Sequence, residues 1–147
     1  MDDTVSGEKD MSGKLSLILF SGEMDKLMAG SIIASGAVAN EMKVDIFVTF
    51  WALLQVTKEG VHQISLSPEA GPLAGEVMRV MHEKKIPSWL DTIRQISEVG
   101  DVTVYGCAMF ADMMGIKKEE LDPIVKDIIG VSQFMDMAKD STMTLFL

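Results

Sequence analysis

The stretch from Lys14 to Trp51 constrains the fold more than any other. It opens with "KLSLILF" (14–20), an apolar run with no alternation, the mark of a strand buried on both faces. It closes with "KVDIFVTFW" (43–51), β-branched and aromatic, a second buried strand. Between them, "MDKLMAGSIIASGAVANEM" (24–42) keeps Leu27, Met28, Ile32, Ile33 and Val38 at helical spacing. Strand, helix and strand follow one another in fewer than 40 residues. A helix that long carries the chain back along the sheet, so the two strands run parallel, with a right-handed crossover.

The same alternation continues. "LAGEVMRVMHEKK" reads as a helix ended by Pro87, and "SWLDTIRQISEVG" as a second, with Ser88 as cap, Asp91 completing a capping box and Gly100 as stop. "DVTVYG" is a third strand. A short helix follows from Cys107 to Met114, closed by Gly115, and "KKEELDPI" holds at most a further turn or two. "DIIGV" is a fourth strand, "SQFMDMAKD" a helix capped by Ser132, and "TMTLFL" a last strand. Strands alternating with helices predict an α/β chain with a doubly wound, mostly parallel sheet. Its 147 residues suffice for one domain with a real core. The polar opening "MDDTVSGEKDMSGK" lacks the basic start and apolar centre of a signal peptide, so residues 1–13 read as a disordered lead and 14–147 as the domain. Residues 55–72, punctuated by Gly60, Pro68, Gly71 and Pro72, are the least regular part and read as a mobile functional loop.

Composition narrows the function classes. Thirteen basic against 22 acidic residues give a net charge of −9, spread along the chain, which argues against nucleic acid and anionic lipid as partners. No apolar stretch reaches the ~20 residues of a membrane span, so stable membrane insertion is not expected and the protein reads as cytoplasmic. A mean hydropathy of +0.24 is high for a chain of this size and points to apolar surface covered by a partner subunit. One cysteine excludes an internal disulfide and dithiol chemistry, and with His62 and His82 as the only histidines there is no convincing metal-ligand set.

Chemistry therefore gathers where such sheets bind ligands, at the carboxyl ends of the strands. Three loops meet there: "SGEMD" after the first strand, "TFW" after the second and "YGC" after the third. They nominate Cys107 as the reactive residue, with Ser21, Gly22, Asp25, Thr49, Trp51, Gly106 and Met109 as the site lining. A cysteine at the first turn of a helix has backbone N–H groups and the positive end of the dipole to stabilise a thiolate. Gly106 leaves room for a substrate or a partner's chain to approach. The opposite reading stands beside this one, since a free cysteine is often a small buried hydrophobe. Methionines at helical spacing near Cys107 read as core filler rather than copper ligands. "SGEMDK" carries one glycine and none of the nucleotide-loop patterns, so no cofactor is expected.

Three segments, "LILFSGEMDKLMAGSIIASGAVANEMKVDIFVTFWAL", "VTVYGCAMFADMMGIKKEEL" and "FMDMAKDSTMTLFL", give the chain a resemblance to the DsrE/DsrF-like family of small sulfur-relay proteins, particularly the branch labelled peroxiredoxin-related or NADH-dehydrogenase-like. The resemblance implies a flavodoxin-like three-layer sandwich, homo- or hetero-oligomers that are commonly trimers or their multiples, with a homo-oligomer expected here, and a single cysteine, here Cys107, that holds sulfane sulfur as a persulfide or as bound thiosulfate. It implies exchange of that sulfur with a TusA-like carrier or another persulfide donor or acceptor. A non-catalytic assembly subunit and a single-cysteine redox sensor are the competing expectations. The peroxiredoxin and NADH labels find no support in the residues.

Overall fold

The computed structural model describes residues 13–60 and 64–147. The expected disordered lead therefore lies outside the described residues except for Gly13, as do Val61, His62 and Gln63 of the irregular segment. Five strands build one sheet: β1 Lys14–Leu19, β2 Lys43–Val48, β3 Val102–Cys107, β4 Val125–Ile129 and β5 Met143–Phe146. Every neighbouring pair is parallel, in the order β4-β3-β2-β1-β5. The chain steps one way from β1 to β4 and then returns to the far side of β1, so the winding reverses between β1 and β5. Among the described residues, six α-helices connect and flank the strands: α1 Met24–Ala39, α2 Phe50–Gln55, α3 Ala74–Glu83, α4 Trp89–Val99, α5 Ala108–Met114 and α6 Val131–Ala138.

Leu15, Leu17, Leu19, Val44, Ile46, Val48 and Val104 are buried in one contiguous core. Full burial of each such side chain contributes about 1.5–3 kcal/mol. The small residues of α1 let it lie close to the sheet. A Cβ on Gly30 would meet Leu19 Cδ2 at 2.9 Å and Leu17 Cδ2 at 3.8 Å, and Ser31, Ala34 and Ala37 are buried beside it. α4 packs along α1, and a Cβ on Gly100 would strike Val38 Cγ1 at 2.6 Å, so this glycine serves close approach as well as termination. On the other face of the sheet, Phe134 of α6 stacks on Phe47 at 4.7 Å. Beneath α6 lies a fully buried Asp45. Lys14 Nζ stands 2.9 Å from its Oδ2 and also donates to the Met137 carbonyl.

Four local readings change. β2 ends at Val48 rather than Trp51, because Thr49 leaves the sheet and Phe50 takes a left-handed backbone (φ 46°) that starts α2. Strand propensity in "FVTFW" is overridden there by the turn. Ser132 lies inside α6, whose cap is Gly130. β4 begins at Val125, two residues earlier than read, with a register shift opposite Val104 and Tyr105. Ser88 does cap α4, its Oγ accepting from Asp91 N at 3.1 Å, but the Asp91 carboxylate turns to Arg94 at 2.6 Å instead of closing a capping box.

Candidate functional site

Cys107 is the last residue of β3 and the N-cap of α5. Strand pairing fixes its neighbours. Val48 pairs with Gly106 on one side and Ile129 with Cys107 on the other, so Thr49 leaves the sheet beside Cys107. Thr49 N donates to Leu19 O at 2.9 Å, and Ala52 N to Phe20 O at 3.0 Å, which ties the start of α2 to the end of β1. From there an aromatic row crosses the carboxyl edge. Phe146 packs on Phe20 (5.8 Å between ring centres), Phe20 on Phe50 (5.2 Å), and Phe50 on Phe110 of α5 (4.6 Å). Trp51 meets Phe110 edge-on at 6.1 Å. The helix that begins at Cys107 is thus propped from below by aromatic rings. The left-handed backbone of Phe50, costly for a bulky residue, is held by this stacking.

The thiol itself is nearly closed: Cys107 is 7% exposed, while Met109 two residues on is 73% exposed and Trp51 52%. Met113 and Met114 are exposed too. The helix that follows the covered cysteine thus presents soft, adaptable methionine side chains to solvent. α5 has seven residues, so its dipole is short. The sulfur takes no capping hydrogen bond. Lys26 faces away from this role: the Glu23 carboxylate, 3.0 Å from its Nζ, holds the ammonium above its ordinary range by hydrogen bond and charge.

The structure brings some nominated residues together and separates others. Thr49 follows the end of β2 beside the end of β3, Met109 lies two residues past Cys107 on α5, and Trp51 reaches α5 through its edge-on contact with Phe110. Ser21 and Gly22 line an open cleft of about 440 Å³ at the end of β1, with Phe20, Glu23, Lys26 and Trp51. Gly22 backs onto Trp51, where a Cβ would meet its carbonyl oxygen at 2.9 Å. Asp25 leaves this group. Its carboxylate accepts from Ser67 N (2.9 Å) and Ser67 Oγ (2.5 Å), pinning the loop after α2. Gly106 also has a different office from the one its place in the chain suggested. A Cβ there would point into the core, 3.2 Å from Leu53 Cδ1, with Leu121 and Ile128 beyond, so its missing side chain accommodates packing rather than an approaching substrate. Phe110 and Phe20 were not singled out from sequence. Both look like ordinary core aromatics until the ends of β1, β2 and β3 are placed side by side.

No group of three or more His, Cys, Asp or Glu side chains among the described residues is placed to hold a metal, and no described helix is long and apolar enough to cross a membrane. His82 is exposed near the end of α3.

Comparison with known proteins adds three findings. The chain matches the DsrE/DsrF/DrsH-like family over residues 11–79 and 69–146. Across 94% of its length it is 29% identical to the uncharacterized protein YrkE of Bacillus subtilis, of which it covers 99%, and across 91% it is 24% identical to the sulfur carrier protein DsrE2 of Allochromatium vinosum, of which it covers 98%. The crystal structure of the ychN protein from E. coli shares the fold, with a TM-score of 0.60 at 14% identity over 92% of this chain and 99% of that one.

Proposed function

The chain belongs to the DsrE/DsrF/DrsH-like family, and from that membership and the placement of its one cysteine we propose that it is a sulfur carrier that holds sulfane sulfur on Cys107. The observation that carries this reading is the position of Cys107 at the carboxyl edge of a central parallel strand and at the N-cap of a helix that exposes three methionines. In the transfer, the Cys107 thiolate attacks the outer sulfur of a donor persulfide. One S–S bond forms as the donor's S–S bond breaks, and the donor leaves as a thiolate that takes a proton from solvent. An acceptor thiolate then attacks the terminal sulfur and releases Cys107, so no net oxidation occurs. Near-closure suits a carrier. A persulfide places its outer sulfur about 2 Å beyond Sγ, within reach of a partner, while the Cys107 sulfur stays shielded. The acceptor is a TusA-like carrier protein or another persulfide partner, the working form is a trimer or a multiple of one, and the compartment is the reducing cytoplasm, where a lone thiol stays available.

The same low exposure favours a second reading, an assembly subunit whose cysteine is inert. Intact mass after incubation with polysulfide or thiosulfate separates the two. A carrier gains sulfur in the native state, and Cys107→Ala does not. Gain of sulfur only after denaturation would assign Cys107 to the core. Loading by peroxide in preference to polysulfide would point to a redox sensor.

A further inference from the structure

A second cavity lies away from Cys107, on the α1–α4 side of the sheet's carboxyl end. It is a partly open pocket of about 200 Å³ between the first turns of α1 and α4, the end of α2 and the helix α3. Its walls are Met24 and Met28 of α1, Met81 of α3, Trp89 of α4 and Ile64 of the loop, and none of Thr49, Trp51, Cys107 and Met109 lines it. A cavity of about 150 Å³ lined by apolar side chains stays dry and takes benzene, so this one has room for a slightly larger molecule.

Two polar side chains, Gln55 and Ser88, break the apolar lining. Gln55, the last residue of α2, contributes to the wall, and its Oε1 is buried with no hydrogen-bond partner among the described residues. A buried acceptor left unpaired costs stability. Water answers it poorly, because an ordered water needs two to four polar partners. The other polar side chain in the wall, Ser88, already holds Asp91 N with its Oγ. The rim is built rather than loose. Met24 N donates to Ser65 O at 2.8 Å, and Ser67 is bonded twice to Asp25, which fixes Ile64 at the mouth. α3 covers the other side without burying any residue of its own.

We propose that this cavity binds a small apolar molecule carrying a single hydrogen-bond donor, of the phenol class, with its ring or alkyl body against Met24, Met28, Met81 and Trp89 and its donor on Gln55 Oε1. Methionine supplies a polarizable wall that adapts to shape and meets aromatic rings favourably. The Gln55 acceptor selects a hydroxyl over its bare hydrocarbon counterpart. The site is independent of the sulfur-carrier reading and stands or falls without it.

The test uses the full chain with carbon-13 labelled methionine methyl groups, titrated with p-cresol and, separately, with toluene, which has the same body and no donor. The methyl signals of Met24, Met28 and Met81 shift saturably with p-cresol, those of Met109, Met113 and Met114 stay in place, and p-cresol binds roughly fivefold more tightly than toluene, the ratio that one ordinary hydrogen bond supplies. Gln55→Leu removes that preference. Met81→Trp fills the cavity from a helix that buries nothing, so the fold is kept and binding of both probes is lost. Failure of the three methyl signals to saturate, equal binding of toluene and p-cresol, or undiminished binding in Met81→Trp would each overturn the proposal.

Discussion

A thiol on a residue as buried as Cys107 reacts first with reagents small enough to pass its cover. For Cys107 the cover is movable in principle, since α5 is two turns long and exposes three methionines. Iodoacetamide should therefore label the native protein, while a bulky maleimide lags by roughly tenfold or more, the gap closing when local opening is promoted by mild denaturant. Equal rates for the two reagents in the native state would mean the thiol is open, contrary to the burial of Cys107. Asp25 gives a second residue-level test. Its partial burial would raise the carboxyl pKa, but the Ser67 hydroxyl and N–H bonds outweigh burial and hold it below the ordinary 3.8. A carboxylate with a lowered folded pKa stabilises the fold above its unfolded pKa, and that contribution is lost as pH falls through the folded value. Wild type should thus exceed Ser67→Ala in stability at neutral pH, with the difference shrinking below about pH 4. Denaturant midpoints at pH 7 and pH 3 measure it, and a difference that does not shrink would remove Asp25 from the latch. Cys107 and Thr49 were readable as neighbours at a strand end from sequence. The turn of Asp25 towards Ser67 was not, because it depends on where a loop 42 residues away returns.

At the scale of the elements, the glycines of α1 separate close packing from open surface. Gly30 lies against Leu17 and Leu19, where an added methyl would come within 2.9 Å of a buried leucine methyl, whereas nothing lies within 4 Å of a Cβ on Gly36. Gly36→Ala should stabilise the protein by about 0.5–1 kcal/mol through helix propensity alone. Gly30→Ala gains the same propensity but overpacks the core, and should destabilise by about 1 kcal/mol. Thermal unfolding of the two variants checks the pair, and a shift of the same sign in both would contradict the packing of α1 on β1. Which small residues of this helix face the sheet was not legible in its composition. Periodicity gave the helix, but Ile32 and Ile33, apolar and on the expected stripe, are exposed, while Ser31 is buried. The stripe is divided because Gly30, Ala34 and Ala37 take the close contact and leave the larger side chains outward. α2 escaped sequence reading for a related reason: a run with strong strand propensity is broken at Thr49 and Phe50 by backbone torsions that only the neighbouring rings enforce.

The parallel sheet as a whole followed from the brevity of the first strand–helix–strand unit, but strand order did not, since β5 finds its place beside β1 through contacts made only once the rest is assembled. One of those contacts joins three elements. Lys14 of β1 approaches the fully buried Asp45 of β2 and the Met137 carbonyl of α6, and beside it Ser16 Oγ meets Ser141 Oγ at 2.6 Å in the link between α6 and β5. Burial first, and then the Asp45 charge, push the hydroxyl of Tyr105 above its ordinary range. Asp45 has no well-formed hydrogen bond among the described residues beyond this ion pair. A buried carboxylate with one partner is a sensitive arrangement. Its desolvation is offset only while the partner stays, so removing the cation costs more than the pair contributes. Lys14→Met should accordingly lower unfolding free energy by about 3 kcal/mol or more. Asp45→Asn should cost less, because Lys14, partly exposed, can carry its charge outward to water. The double variant should be more stable than Lys14→Met alone, a coupling well above the ~0.5 kcal/mol seen for independent sites. Denaturant unfolding of the four proteins completes the cycle. Additive effects, or a Lys14→Met variant within about 0.5 kcal/mol of wild type, would mean that Asp45 draws its compensation from elsewhere and that α6 is held to the sheet by Phe47 and Phe134 alone.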